Sequence, residues 1–169
     1  ASEALARFRG LDLTQVRGGP TAARQLADWG ADVIQVQMPE NMRGDDTLGG
    51  QDGSDYQYTH RNKRSITLNL KLPEGIEALK KLVATADVLL ENFRPDVKYR
   101  LGIDYETLST VNPRLVYASI SGFGQTGPLA TRPGFERNAR SPNPAAAPTA
   151  AAFCKKPLRE VRWNMAPPS

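Results

Sequence analysis

Residues 87–93 read DVLLENF, a run that stays apolar until its carboxyl end instead of alternating. A strand with one wet face alternates, so this one must be covered on both faces, as strands inside parallel sheets are. Parallel neighbours need crossover connections, usually helical. The rest of the chain supplies them.

The stretch RFRGLDLT (residues 7–14) reads as a short strand reaching the glycine-rich turn VRGGP. Pro20 stands where a first helical turn would begin, and Ala23, Leu26 and Ala27 follow in helical spacing up to a stop at Gly30. ADVIQVQMP (31–39) is a β-branched strand closed by proline, which completes one βαβ unit. Residues 40–62 are polar and glycine-rich with neither a helical nor a strand period. RSITLNL (64–70) alternates as a strand, and LPEGIEALKKLVATA (72–86) is an amphipathic helix with Ile76, Leu79, Leu82, Val83 and Ala86 on one face. Leu72 occupies the position where a helix cap would prefer Ser, Thr or Asp. Two short helical pieces follow DVLLENF, the second with Asp104 as its cap, and LVYASISGF (115–123) is a last strand. The order predicts an α/β fold: a Rossmann-like, open, largely parallel sheet with helices on both faces. In such sheets ligands bind at the carboxyl ends of the strands, here at residues 16–19, 37–39, 69–71, 91–94 and 121–125.

The last of these windows opens GFGQTG (122–127), which fits the G-x-G-x-x-G pattern of dinucleotide sites. That fingerprint needs its third glycine to open a helix and an acidic residue about 20 positions later. Pro128 follows Gly127, and Glu136 comes too early, so a nicotinamide site is not expected. Asp45, Asp46, Asp52 and Asp55 cluster without EF-hand spacing or a terminal glutamate, and no metal is expected. Ser119 and Ser121 lack a histidine at a triad spacing and a G-x-S-x-G elbow. The single histidine, His60, and the tryptophans Trp29 and Trp163 read as structural residues, Trp29 as a core aromatic.

A net charge of +4 and a pI near 9.4 suggest a polyanion partner until the charge is located. From residue 137 onward six basic residues (Arg137, Arg140, Lys155, Lys156, Arg159 and Arg162) face Glu160 alone, a balance of +5, which leaves residues 1–136 at −1. The body is not basic, and nucleic acid is not expected as a partner. One cysteine, Cys154, excludes an internal disulfide framework. No stretch approaches the roughly 18 apolar residues of a membrane span, and no signal-type core opens the chain, so the expectation is a cytoplasmic protein without membrane contact.

The segments LDLTQVRGGPTAARQLADWGADVIQV, HRNKRSITLNLKLPEG, DVLLENFRPDVKYRLGIDYETL, NPRLVYASISGFGQTGP and RPGFE together resemble the family III CoA-transferases, the CaiB/BaiF family, over roughly residues 8–136. The resemblance implies an acyl-CoA:carboxylate CoA-transferase. In that chemistry an aspartate attacks an acyl-CoA thioester, forms a mixed anhydride and then an aspartyl-CoA thioester, and a small carboxylic acid resolves it. It implies coenzyme A contacts at Arg17, Gly18, Met38, Leu68, Asn69, Leu70, Lys71, Asn92, Phe93, Arg94, Arg100, Arg132, Pro133, Gly134 and Phe135. Arg and Lys suit phosphates, and amides suit the pantetheine arm. Met38 departs from relatives that place a cation there, and the strand VIQVQ has glutamines where relatives favour lysine and glutamate. Glu136 matches an acidic position that helps to organise the reacting site, and GFGQTGP becomes a turn near the thioester end. An interlocked homodimer is implied for the full-length protein. The racemases of the same fold place a histidine where this chain has Phe135, which counts against an α-methylacyl-CoA racemase.

The likeness stops at the tail. No aspartate follows Asp104, so the expected nucleophile is absent from the sequence, and residues 137–169 are rich in proline, alanine and basic residues. The expected division is a CoA-transferase-like Rossmann domain over 1–136 and an irregular or wrongly assigned tail over 137–169. Taken literally, the chain could also be a non-enzymatic fragment that binds CoA or dimerises.

Overall fold

A computed structural model of the chain describes residues 2–42, 53–125 and 128, and the backbone of 151–154. Six strands form one sheet: β1 (Arg9–Asp12), β2 (Asp32–Gln37), β3 (Arg64–Thr67), β4 (Val88–Glu91), β5 (Val116–Ser121) and β6 (Ala151–Cys154), in the order β3-β2-β1-β4-β5-β6. The first five are parallel and β6 runs antiparallel to β5. The chain winds outward from β1 to β3, then crosses to β4 on the other side. The switch point therefore lies between β1 and β4, where ligands of such sheets bind.

Both faces are covered, as DVLLENF requires. On one face α1 (Gly18–Asp28) lays Ala23 and Ala27 against Val33 and Leu90. On the other, α3 (Pro73–Val83) and α5 (Tyr105–Val111) bury Leu79, Val83 and Leu108 with Leu11, Leu89 and Tyr117, and α4 (Pro95–Leu101) adds Leu101 at the margin. The five predicted apolar positions all join this core: Ile76, Leu79, Leu82 and Val83 from α3 and Ala86 just past its end, with Leu79, Val83 and Ala86 buried. Gly30 ends α1 at φ 100°, the left-handed region where glycine carries no steric penalty. Asp104 caps α5 by accepting from Thr107 N at 2.9 Å and from its hydroxyl at 2.8 Å. Burial raises this carboxyl, and those two donors outweigh it, so that it titrates below the usual range.

The structure departs from the sequence reading at several points: β6 lies within the segment 137–169 read as irregular, and α3 ends at Val83, before the predicted residue 86. Within residues 40–62 it places a 3-10 turn (Glu40–Met42) and α2 (Ser54–His60). Seven residues are too few for a helical period to show, and α2 is held by tertiary contacts. Thr59 is buried and the Arg24 guanidinium lies 4.2 Å over the Tyr58 ring, while within the helix the His60 and Tyr56 rings meet at 4.2 Å. Strand β3 ends at Thr67, three residues early, because the chain turns at Asn69, whose side chain accepts from Lys71 N at 3.0 Å. Trp29 is 55% exposed at the end of α1 and is not a core residue. Trp163, Asp45, Asp46 and Asp52 lie outside the described residues, as does most of the segment 137–169. Among the described residues no helix is long and apolar enough to cross a membrane, and no group of three or more metal-ligating side chains forms.

Two buried ion pairs stand at the carboxyl ends of the central strands. Lys63 Nζ donates to Asp12 Oδ2 at 2.7 Å and to Pro20 O at 2.8 Å, with both side chains at 1% exposure or less. Lys98 Nζ donates to Glu91 Oε1 at 3.1 Å, again buried. Burial lowers the Lys63 ammonium, and Asp12 opposes that shift.

Lys63→Met is expected to reduce the unfolding free energy by about 3–5 kcal/mol, since it leaves Asp12 charged and unpaired in the interior. Urea denaturation measures it, and a loss under 1 kcal/mol would show the pair to be dispensable. His60 gives a pH signature. Burial, with the Lys63 charge second, lowers its imidazole from 6.5 to about 4. The unfolded chain therefore takes up this proton first, and the stability tied to neutral His60 is complete above pH 6.5 and is lost as the pH falls toward 4. After allowance for its partial exposure the effect is about 1–2 kcal/mol. The difference in stability between wild type and His60→Gln should change across that window and be flat above it.

Candidate functional site

The β1–α1 turn is held from beneath. Asp12 Oδ1 accepts from Thr14 N at 3.0 Å and from the Thr14 hydroxyl, and a Cβ on Gly19 would fall 2.3 Å from Thr14 Cβ. Only glycine lets α1 start this close to β1. The turn then passes through Val16 at φ 69°, a conformation that is costly for a β-branched residue and that marks binding turns. Beside it, Asn92 closes the switch point. Its Oδ1 accepts from Gln15 N at 2.9 Å and its Nδ2 donates to Gln15 O at 2.8 Å, which ties the loop after β4 to the loop after β1.

A cleft of about 300 Å³ opens at this edge, on the face that carries α3 and α4. Its floor is apolar, with Leu13, Val36, Leu68 and Phe93, and its rim carries Asn69, Lys71 and Arg100. Helix α4 presents Val97, Arg100 and Leu101 to the cleft at i, i+3 and i+4, while Lys98 points back into the protein. The Asn69 turn is packed against the start of α3, where a Cβ on Gly75 would fall 2.1 Å from Asn69 O. A side chain there would push Asn69 and Lys71 off the rim. Lys71 and Arg100 form no ion pair among the described residues.

Of the residues singled out in the sequence, the structure gathers Met38, Leu68, Asn69, Leu70, Lys71, Phe93 and Arg100 around this cleft. Asn92 stands at its edge through Gln15, which is itself a lining residue. Arg17 and Gly18 begin α1 outside the cleft lining, and the Arg17 guanidinium pairs with Asp55 of α2 in a separate hollow lined by Thr21, Tyr58 and Thr59. Arg94 is exposed at the cap of α4. Arg132, Pro133, Gly134, Phe135 and Glu136 lie outside the described residues. Sequence reasoning missed Gln15, Met42, Val97 and Leu101. The i, i+3, i+4 spacing around Arg100 was the available signal for the last two, whereas Gln15 precedes the strand-end window by one residue.

Comparisons with known proteins bear on the family. The family model described as CoA-transferase family III matches residues 5–147. The succinate–glutarate CoA-transferase of Agrobacterium fabrum is 46% identical over 144 residues, which is 78% of this chain and 36% of that protein. The acetyl-CoA:oxalate CoA-transferase of Acetobacter aceti is 48% identical over 132 residues, 75% of this chain and 33% of that one. Among solved structures, a CaiB/BaiF family protein from Brucella suis superposes with a TM-score of 0.69 at 41% identity, covering 78% of this chain and 37% of that chain. The chain thus spans about a third of the length of the relatives it matches. The parallel order through the β1/β4 switch point and the match across residues 5–147 lead to one assignment: the chain belongs to CoA-transferase family III.

Proposed function

We propose that this chain is the coenzyme A binding portion of an acyl-CoA:carboxylate CoA-transferase. The observation that carries the reading is the cleft itself: an apolar slot at the switch point, with Lys71 and Arg100 at its rim and amides from Asn69 and Gln15 along it. A ligand with a phosphorylated end and an uncharged, amide-bearing arm is complementary to that distribution. The relatives named above act on acyl-CoA and carboxylate pairs, which favours the same class of substrates here.

In this reading Lys71 and Arg100 hold phosphate oxygens, and Asn69 and Asn92 orient the arm that leads to the thioester. Arg94 and Arg132 to Phe135 extend the contacts, and Glu136 supports the reacting end. Arg17 and Gly18 shape the turn after β1. Transfer proceeds by carboxylate attack on the thioester carbonyl carbon, which releases the thiolate and leaves an anhydride. The thiolate then attacks the enzyme's own acyl carbon, which expels the donor carboxylate and leaves an enzyme–CoA thioester, and the acceptor carboxylate runs the same steps in reverse to leave as its CoA thioester. Residues 105–169 contain no aspartate to perform the attack. An interlocked homodimer remains the proposed assembly of a full-length relative, and a cytoplasmic setting its proposed location.

Isothermal titration with CoA tests the site. Lys71→Ala and Arg100→Ala should each weaken binding about 10- to 100-fold, the range of one charge-assisted hydrogen bond. Met38→Lys should tighten it by adding a third cation. Unchanged affinity in both alanine variants would remove the cleft from consideration as the CoA site.

A further inference from the structure

Lys98 decides which way round a neighbouring amide sits. An ammonium carries three donors and no acceptor. Lys98 Nζ directs them to Glu91 Oε1 and Ser119 Oγ, both at 3.1 Å, and to Gln125 Oε1 at 2.6 Å. The oxygen of the Gln125 amide must face the lysine, because its NH2 could only repel it. An assignment that is often arbitrary is here fixed by the chemistry of the partner.

The NH2 of Gln125 therefore faces the other way. It is buried and has no hydrogen-bond partner among the described residues, and the same is true of Ser121 Oγ. Ser121 follows Ser119 by two positions on β5, so both project from the same face of the sheet, with Ser121 nearer the carboxyl end. An unfilled buried donor costs about 1–3 kcal/mol, and folded proteins leave few of them. Two at one strand end mark a place prepared for an oxygen from elsewhere.

The position of this strand end relative to the cleft says which oxygen. Across the sheet the order is β2, β1, β4, β5. The cleft spans the ends of β2 and β1 and reaches Phe93 just beyond β4. Strands lie about 4.8 Å apart, so the end of β5, which leads to Gln125, is about one strand spacing beyond the end of β4 along the same edge. Lys71 and Arg100 stand at the rim of the cleft, and Asn92, hydrogen-bonded to the lining residue Gln15, follows β4, the neighbour of β5. A ligand longer than the cleft that runs on past Asn92 comes to the end of β5.

We infer that Gln125, oriented by Lys98, donates a hydrogen bond to the acyl oxygen of a bound thioester, with the Ser121 hydroxyl as a second polar contact at the same strand end. This assignment rests on the coenzyme A reading of the cleft and adds to it the residue that distinguishes acylated from free CoA. Gln125 is a binding residue of the acyl end, and Lys98 positions it.

The test compares CoA with acetyl-CoA in titrations of the wild-type chain and of Gln125→Glu. The carboxylate keeps an oxygen toward Lys98 and puts an acceptor where the donor was. Wild type should bind acetyl-CoA with an affinity ratio over CoA that falls about 10-fold in Gln125→Glu. Gln125→Met, which retains the volume and loses both amide ends, should show a fall of the same sign and serves if Gln125→Glu does not fold. If wild type binds both ligands and the ratio is the same in every folded variant, the NH2 is satisfied by another part of the protein and the inference is overturned. If wild type binds neither ligand, the coenzyme A reading fails first and this assignment falls with it.

Discussion

The carboxyl edge of this sheet depends on two ammonium–carboxylate pairs taken out of water, Asp12–Lys63 beyond β1 and Glu91–Lys98 beyond β4. Desolvating an ion costs several kcal/mol, and attraction alone offsets this only when further hydrogen bonds complete each group. Here they do. Asp12 also accepts from Thr14, Lys63 also donates to Pro20 O, Glu91 also accepts from Phe93 N at 2.7 Å and from the Ser119 hydroxyl, and Lys98 reaches Gln125. A hydrophobic pair of the same volume would be as stable or more so, but it would not fix four loops at once. The geometry points to specification of the edge, not bulk stability, as the role of these charges.

The two pairs lie on opposite faces, because Asp12 and Glu91 occupy alternate positions of neighbouring strands: Asp12 stands beside Leu90, so Glu91 is one residue out of phase. One pair draws in the α1 face and the segment before β3. The other draws in α4 and the turn after β5. Between them the Gln15–Asn92 amide exchange closes the switch point. Because Lys98 is anchored inward, Val97, Arg100 and Leu101 are turned toward the cleft, so a buried lysine sets the direction in which an exposed arginine two residues later can act.

Much of this was legible in the sequence, and the parts that were not have physical reasons. The unbroken apolar run of β4 required cover on both faces, and the periodic face of α3 predicted its core residues. Asp104 was readable as a cap because capping is local. Helix α2 was not readable, since seven residues carry barely two turns and its stability comes from Arg24, which is 30 residues and more away in sequence. The ion pairs were equally hidden. Lys63 sits in HRNKRS, a string that looks like solvated surface, and nothing local reveals that one of its cations is buried against Asp12, 51 residues earlier. Leu72 looked like a poor cap and is one, with no side-chain hydrogen bond. Pro73 in the first turn and the Asn69 turn packed at Gly75 define the start of that helix instead.

Charge shows how far composition can mislead about a site. Residues 1–136 carry a net −1, yet the cleft presents two cations with no ion-pair partners among the described residues. Elsewhere in the same domain Arg9, Arg17, Arg24, Arg61 and Arg64 are each paired with an aspartate, which offsets their charge. An anion arriving at the carboxyl edge therefore meets a local field set by Lys71 and Arg100 over an apolar floor, where screening is weaker than at an open surface. The sign and strength of that field follow from which arginines the aspartates occupy, a property of the fold that no sum over the sequence can report.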